Sequence, residues 1–481
     1  MNKLNFKDFG LSQDILESLK RLEYKTPSEV QEKVIPLILK KKDVIVKSQT
    51  GSGKTAAYAI PICEELELEE NNVQVLVLSP TRELALQIKE DFSNIGRFKR
   101  LRCVTVFGKE PISIQINKLK QRVHAVVGTP GRTLDHMKRG TLNLKNIKYL
   151  IIDEADEMLN MGFIDQVKSI VSKLPKDRIT LLFSATMPDE ILKLCNEYML
   201  DPINVEIKSK SSTLDRIKQI YYEVENDKKF NLLKKIVYTQ RPMSSMIFCS
   251  TKKNVDDLLA KMKNEGFLCD SFHGGMLQSE RINVLNRFKR GEFTFLICTD
   301  IAARGIDVEN ITHVINYDIP MEKESYIHRI GRTARIGKSG TAVTFVTPNQ
   351  YRFLQQIEET FNLNIQRAEI PSNEEVQNGK LIFDKELKSP IKLKTNKAKK
   401  VNKDIMKIYI SAGKKKKIRP GDIAGTIASI DGVSPDDVGI IDIRDNFSYV
   451  DILSGKGNIV LDALKHKTIK GKTVRADKAQ K

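Results

Sequence analysis

The chain contains no C-x-x-C pair, and its six cysteines, Cys63, Cys103, Cys195, Cys249, Cys269 and Cys298, stand far apart. That scatter argues against a disulfide framework. With six histidines showing no ligand spacing beside the cysteines, it argues equally against a structural zinc site. A reducing cytoplasm is the compartment that fits. No apolar run approaches the length of a membrane span. The amino terminus, Met1 to Gly10, lacks the apolar core and small-residue cleavage site of a secretion signal, so export is not expected. Acidic side chains are also in short supply, 61 against 80 lysines and arginines, which leaves a net charge of +19. A field of that sign attracts polyanions, and nucleic acid heads the list of partners. A basic surface that serves only solubility is the plainer alternative.

At 481 residues the chain exceeds one ordinary domain, and about 150 residues per domain suggests roughly three. From Asp43 to about Asn204, short β-branched runs alternate with helical patterns: Asp43–Val46, Val75–Leu78, Ala125–Val127, Tyr149–Ile152 and Thr180–Phe183. Such alternation predicts a parallel sheet covered by helices. After the small polar stretch Ser209–Ser212 the pattern restarts with Ile220–Val224, Met246–Phe248, Phe295–Cys298, Val314–Asn316 and Ala342–Val346. The reading is α/β, with two tandem parallel-sheet lobes over residues 1–208 and 213–370. Residues 371–403 turn polar and lysine-rich and read as a basic linker. In residues 404–481 the strands Lys407–Ile410, Val438–Ile443, Phe447–Leu453 and Lys472–Arg475, with helices near Gly421–Ser429 and Asn458–His466, follow the β-α-β-β-α-β order of a small ferredoxin-like α+β domain.

The segment Ser48, Gln49, Thr50, Gly51, Ser52, Gly53, Lys54, Thr55 follows a predicted strand and opens a predicted helix, the context of a Walker A loop. Its glycines let backbone N–H groups turn toward a β-phosphate, and the helix N-terminus adds positive potential. Lys54 suits neutralisation of β/γ-phosphate charge and the Thr55 hydroxyl suits Mg²⁺, so ATP with Mg²⁺ is the expected cofactor pair. Ser48 stands where the strict pattern has glycine. After the strand Tyr149–Ile152 come Asp153-Glu154-Ala155-Asp156. Asp153 can hold Mg²⁺ through water and Glu154 can orient and deprotonate the attacking water. Two acids after a strand could equally cap a helix.

Taken together, these motifs in this order resemble the DEAD-box RNA helicases from Phe6 to about Phe361. The resemblance implies two RecA-like lobes and a set of residue roles. Gln31, in Tyr24–Gln31, is expected on the adenine edge and Phe6 on its face. Pro80, Thr81 and Arg82, with Thr129, Pro130, Gly131 and Arg132, are expected on the RNA backbone, a contact that binds without reading sequence. Gly108-Lys109 stands where the family has Gly-Gly. Ser184 and Thr186 are expected to couple hydrolysis to strand separation. In the second lobe Gly275, Gln278, Arg281 and Thr299 fall on the RNA side, Gly305 and Asp307 on the nucleotide. Arg332 and Arg335 are expected as arginine fingers, so that RNA-stimulated hydrolysis needs both lobes and drives local unwinding.

The C-terminal stretch Lys414–Arg419 with Pro420–Gly425 resembles the terminal domain of the bacterial DEAD-box protein A subfamily, an atypical RNA-recognition motif. That likeness implies a hairpin in large-subunit (23S) ribosomal RNA and pre-50S particles as partners, in ribosome assembly, with no membrane and no obligate protein partner. Strand alternation places Tyr409 and Tyr449 on the open sheet face, where base stacking is the expectation, and Arg419 beside the basic loop.

Overall fold

The computed structural model describes residues 4–48, 51–207, 213–303, 306, 308, 310–334, 338–387 and 401–479. Lobe 1 is built on seven parallel strands: β1 (Val44–Lys47), β2 (Val75–Leu78), β3 (Cys103–Val106), β4 (Ala125–Gly128), β5 (Tyr149–Asp153), β6 (Ile179–Ser184) and β7 (Ile203–Glu206), in the spatial order 3-4-2-5-6-1-7. The central strands are buried on both faces, as expected where helices cover a parallel sheet on each side. Their C-terminal ends lie along one edge, where in open α/β sheets ligands gather.

Lobe 2 repeats this plan. Its strands β8 (Ile217–Glu223), β9 (Ser245–Phe248), β10 (Cys269–Phe272), β11 (Phe295–Cys298), β12 (His313–Asn316), β13 (Gly340–Val346) and β14 (Gln366–Arg367) lie in the order 10-11-9-12-13-8-14, again all parallel. The polar stretch read as a linker from residue 371 does not begin as one. Asn373–Leu387 is a helix packed on Lys229–Gln240 of lobe 2. Phe383 is buried, with its ring 5.5 Å from Tyr238 and 5.7 Å from Phe267. Gly379 lets the backbones meet, since a Cβ there would lie 2.4 Å from the Tyr238 carbonyl oxygen. Val376, Gly379 and Phe383 recur at helical spacing, a stripe interrupted in the sequence by the polar Gln377, Asn378 and Lys380.

The C-terminal module folds with β15 (Met406–Ile410), β16 (Val438–Ile443), β17 (Ser448–Ile452), β18 (Thr468–Ile469), β19 (Lys472–Thr473) and β20 (Ala476–Lys478), and helices Pro420–Ala428 and Gly457–Ala463. The four-stranded sheet runs 16-17-15-20, with antiparallel pairing of β15 to β17 and to β20. The fourth sheet strand is therefore β20 and not Lys472–Arg475. Lys472–Thr473 pairs instead with β18 in a separate hairpin, turning at Lys470 and Gly471, both with positive φ. Ile408, Ile410, Val450, Ile452 and the helix residues Ile423, Ile427 and Val460 form the module's own core. Lobe 1 and this module belong to one compact unit and lobe 2 to another.

Candidate nucleotide and RNA site

At the end of β1 the chain turns through Gly51 (φ 82°) and Gly53 (φ 94°) into the helix Lys54–Glu65. Lys54 is buried and its Nζ donates to the Ser48 carbonyl at 3.2 Å, which folds the lysine back over the loop. Gln31 closes the loop from behind. Its Nε2 donates to the Gly53 carbonyl at 3.2 Å, while its Oε1 accepts from the Ser28 N–H at 3.0 Å. Gly53 is favoured by its φ of 94°, and a Cβ there would lie 2.7 Å from that Nε2 and displace it. Phe6 is 3% exposed, edge-on to Phe9 and Tyr24, and in this conformation serves as a packing residue. Gln49 and Thr50 lie outside the described residues.

Asp153 ends β5 facing the same loop. Its Oδ2 accepts from Tyr58 Oη at 2.8 Å and its Oδ1 from the Glu154 N–H at 3.0 Å. Burial pushes its carboxyl above the ordinary range; the nearby Lys54 ammonium and the two hydrogen bonds pull the other way without cancelling it. A buried, incompletely compensated carboxylate beside the phosphate lysine fits a site for a divalent cation. Among the described residues no three acidic, histidine or cysteine side chains cluster as a metal cage. Mg²⁺ held mainly by water and phosphate needs none. Glu154 sits at φ 53°, left-handed backbone uncommon for a side-chain-bearing residue, and caps the helix Ala155–Asn160. Glu154 holds the N-cap position without a side-chain capping hydrogen bond.

Asp156 is the residue that sequence reasoning passed over. Its Oδ2 accepts from the Ala185 N–H (3.2 Å), the Thr186 N–H (2.9 Å) and Thr186 Oγ1 (3.0 Å), and its own N–H donates to Ser184 Oγ at 3.2 Å. It ties the carboxylate turn to Ser184–Thr186, and the fourth letter of the motif was its only signal. Tyr58 is a second omission, since nothing marks a tyrosine within an apolar helix as a carboxylate's donor.

On the neighbouring strands Thr81 and Thr129 stand at the N-termini of Arg82–Ile95 and Pro130–Lys138, with Pro80 before the one and Pro130 and Gly131 in the first turn of the other. β2 and β4 pair in register from Val75 and Ala125 to Leu78 and Gly128, so the two helix starts lie side by side and offer adjacent N–H groups to an anion. Arg132 turns inward, donating to the Glu110 carbonyl at 2.9 Å and to Gln115 Oε1 at 3.0 Å. Lys109 adopts φ 61°, the conformation that a glycine takes without strain.

In lobe 2 Arg332 is buried, with Nη1 donating to the Ile306 carbonyl at 2.7 Å. It lines a small pocket with Asp300, His328 and Arg329. Arg329, given no role from the sequence, donates from Nη2 to Asp300 at 2.6 Å and from Nη1 to the Asp318 carbonyl at 2.6 Å, anchoring the helix Lys323–Ile330 to the segment after β11. Thr299 follows that strand, Gln278 opens the helix Gln278–Arg290, and the Gly275 N–H donates to His273 Nδ1. Arg281 is buried, its guanidinium 4.4 Å from the Phe272 ring centroid. Gly305, Asp307 and Arg335 lie outside the described residues. In the module Tyr409, Phe447 and Tyr449 form a three-ring cluster with centroids 5.3 to 5.8 Å apart, and Arg419 is exposed beside Lys414–Lys417.

A glycine-rich loop with a buried lysine, a carboxylate turn tied to the next strand and a second parallel-sheet α/β lobe with the buried Arg329 and Arg332 define an ATP-dependent nucleic-acid motor. The family models agree: DEAD/DEAH box helicase matches residues 28–194, Helicase conserved C-terminal domain residues 228–337, and DbpA RNA binding domain residues 407–478. The chain is 53% identical over 477 residues to "ATP-dependent RNA helicase DbpA" of Bacillus subtilis, covering 99% of this chain and 100% of that one. It is 45% identical to "DEAD-box ATP-dependent RNA helicase CshA" of Geobacillus kaustophilus, over 78% of this chain and 80% of the relative. Among solved structures, S. cerevisiae Dbp5 bound to RNA and ADP BeF3 superposes with a TM-score of 0.69 at 32% identity, over 80% of this chain and 100% of that one. The chain belongs to the DEAD-box ATP-dependent RNA helicases, and within them it is of DbpA type. No helix among the described residues is long and apolar enough to cross a membrane.

Proposed function

We propose that this RNA-stimulated ATPase unwinds short RNA duplexes locally and is directed to a hairpin of large-subunit (23S) ribosomal RNA during 50S assembly in the cytoplasm. The match of residues 407–478 to a DbpA RNA binding domain, with Lys414–Lys417 and Arg419 exposed on one loop, carries the targeting part of this reading. Lys54 neutralises phosphate charge, and Ser48 to Thr55 cradle the phosphates. Asp153, through water, and Thr55 hold Mg²⁺, which screens charge on the transferred phosphoryl. Glu154 orients and deprotonates the attacking water, Gln31 and Phe6 favour adenine, and Gly305 and Asp307 contact the nucleotide from lobe 2. Arg332 and Arg335 supply positive charge as the phosphoryl is transferred.

Pro80 to Arg82, Thr129 to Arg132, Gly275, Gln278, Arg281 and Thr299 form the RNA track, while Arg419 with the exposed Lys414–Lys417 is offered to the targeted RNA. Arg132 and Arg281 act chiefly by holding the track's shape, because their guanidinium groups are engaged within the lobes. The test is ATP hydrolysis at fixed salt with a large-subunit hairpin fragment, with an unrelated RNA of equal length, and with none. Selective stimulation by the hairpin supports targeting, equal stimulation by both RNAs removes it, and no stimulation by either removes the motor reading.

A further inference from the structure

One half of the module's sheet carries two carboxylates, Asp442 and Asp451, which pair with the module's own Arg444 at 2.9 Å and Lys407 at 2.8 Å. Asp442 on β16 pairs in register with Tyr449 on β17, which pairs with Tyr409 on β15, while Asp451 pairs with Lys407. These residues alternate with the buried Ile408, Val450 and Ile443, so Asp442, Tyr449, Tyr409 and Asp451 share the face turned away from the module's core. β16 is also a free edge of the sheet. Carboxylates and free edge carbonyls in this arrangement suit a surface rich in arginine donors.

Such a surface lies in the same unit. Between the helix Arg82–Ile95 and β3, lobe 1 carries Arg97, Lys99, Arg100 and Arg102 within six residues. Arg97 Nη1 lies 2.9 Å from Asp451 Oδ2, and Asp451 is 1% exposed. Arg102 Nη2 lies 3.3 Å from Asp442 Oδ1. Arg102 Nη1 donates to the Ile441 carbonyl at 3.4 Å and Gln121 Nε2 to the Ile443 carbonyl at 3.2 Å. Ile441 and Ile443 alternate with residues bonded to β17, so these carbonyls project from the free edge and lobe 1 side chains satisfy them. Arg100 Nη2 donates to the Pro435 carbonyl at 3.0 Å and lies 3.6 Å from Asp436. At the start of the module, Val401 is fully buried in the lobe 1 core and its carbonyl accepts from Arg21.

We infer that this carboxylate-bearing sheet face and the β16 edge are a dock that mounts the RNA module on lobe 1 through Arg97, Arg100, Arg102 and Gln121. The arginines and Gln121 sit at the N-terminal ends of β3 and β4, opposite the strand ends that carry Lys54, Asp153 and Thr129. The mount therefore leaves the nucleotide loop and the RNA track of lobe 1 uncovered. It also leaves exposed the module's Lys414–Lys417, Arg419, Lys470 and Lys472. RNA held by those side chains is carried at a fixed place on the motor lobe, and β16 is unavailable for bases.

The test is a short bismaleimide cross-link in the full chain between Arg100→Cys and Asp436→Cys, two partly or fully exposed positions. The six native cysteines are buried and do not compete. The dock predicts one intramolecular link joining the two peptides. Adding Arg97→Glu and Arg102→Glu reverses two contacts and is expected to lower the yield about tenfold or more, because Asp451 then faces a buried like charge. ATPase activity with unstructured RNA is retained in that variant, which shows that lobe 1 is still folded. Absence of the link in the parent, or an unchanged yield after charge reversal, overturns the dock. Neither result depends on RNA targeting.

Discussion

Asp153 is held in its charged form at a disadvantage by burial, with a folded-state carboxyl above its unfolded value. A group shifted in that direction contributes stability that is fully present below the unfolded pKa and is lost as pH rises through the folded one. Asp153→Asn is therefore expected to melt a few degrees higher than the parent at pH 7 without nucleotide. That gap should narrow as pH falls into the carboxylate range, while ATPase activity drops to background. Thermal melts across pH with matched ATPase assays check both. Lys109→Gly relieves a left-handed backbone and is expected to stabilise the chain by about 1 kcal/mol, read from urea midpoints.

At the scale of elements, Asp156 joins the carboxylate turn to Ser184–Thr186 through three accepted hydrogen bonds. Asp156→Ala is expected to cost roughly 3 kcal/mol of stability by leaving buried donors unpaired, and to reduce unwinding more than ATP hydrolysis. Denaturant titration and paired helicase and ATPase assays read the two effects. Gly379→Ala drives a methyl into the Tyr238 carbonyl and should destabilise the helix Asn373–Leu387 on lobe 2 by roughly 1–3 kcal/mol, visible as faster proteolysis within it.

Strands were unevenly legible for a physical reason. In lobe 1 the expected runs match β1, β2, β4, β5 and β6 and miss β3 and β7; in lobe 2 they match β8, β9, β11, β12 and β13 and miss β10 and β14. Each missed strand is at an end of its sheet. Ile-Asn-Val-Glu and Gln-Arg are mixed because these end strands have one neighbour and less cover, whereas Cys-Val-Thr-Val and Cys-Asp-Ser-Phe are mostly buried but carry polar residues that break the apolar run.

For the whole molecule, truncation after Lys403 is expected to abolish preferential stimulation by the ribosomal hairpin while sparing stimulation by generic RNA, as read by ATPase rates at fixed salt. It keeps Val401, whose side chain completes the lobe 1 core, so that core stays closed. The sequence by itself determined the two-lobe α/β plan, the phosphate loop and the carboxylate turn, because glycines, a lysine and acids at fixed local spacing specify their own backbone. Only the tertiary structure decided the order of the strands, the inward turn of Arg132 and Arg281, and the partnership of Asp156 with Thr186. It also decided the meeting of Arg97 with Asp451, 354 positions apart in the chain. These depend on which surfaces bury one another, and no local pattern of residues encodes a partner that distant.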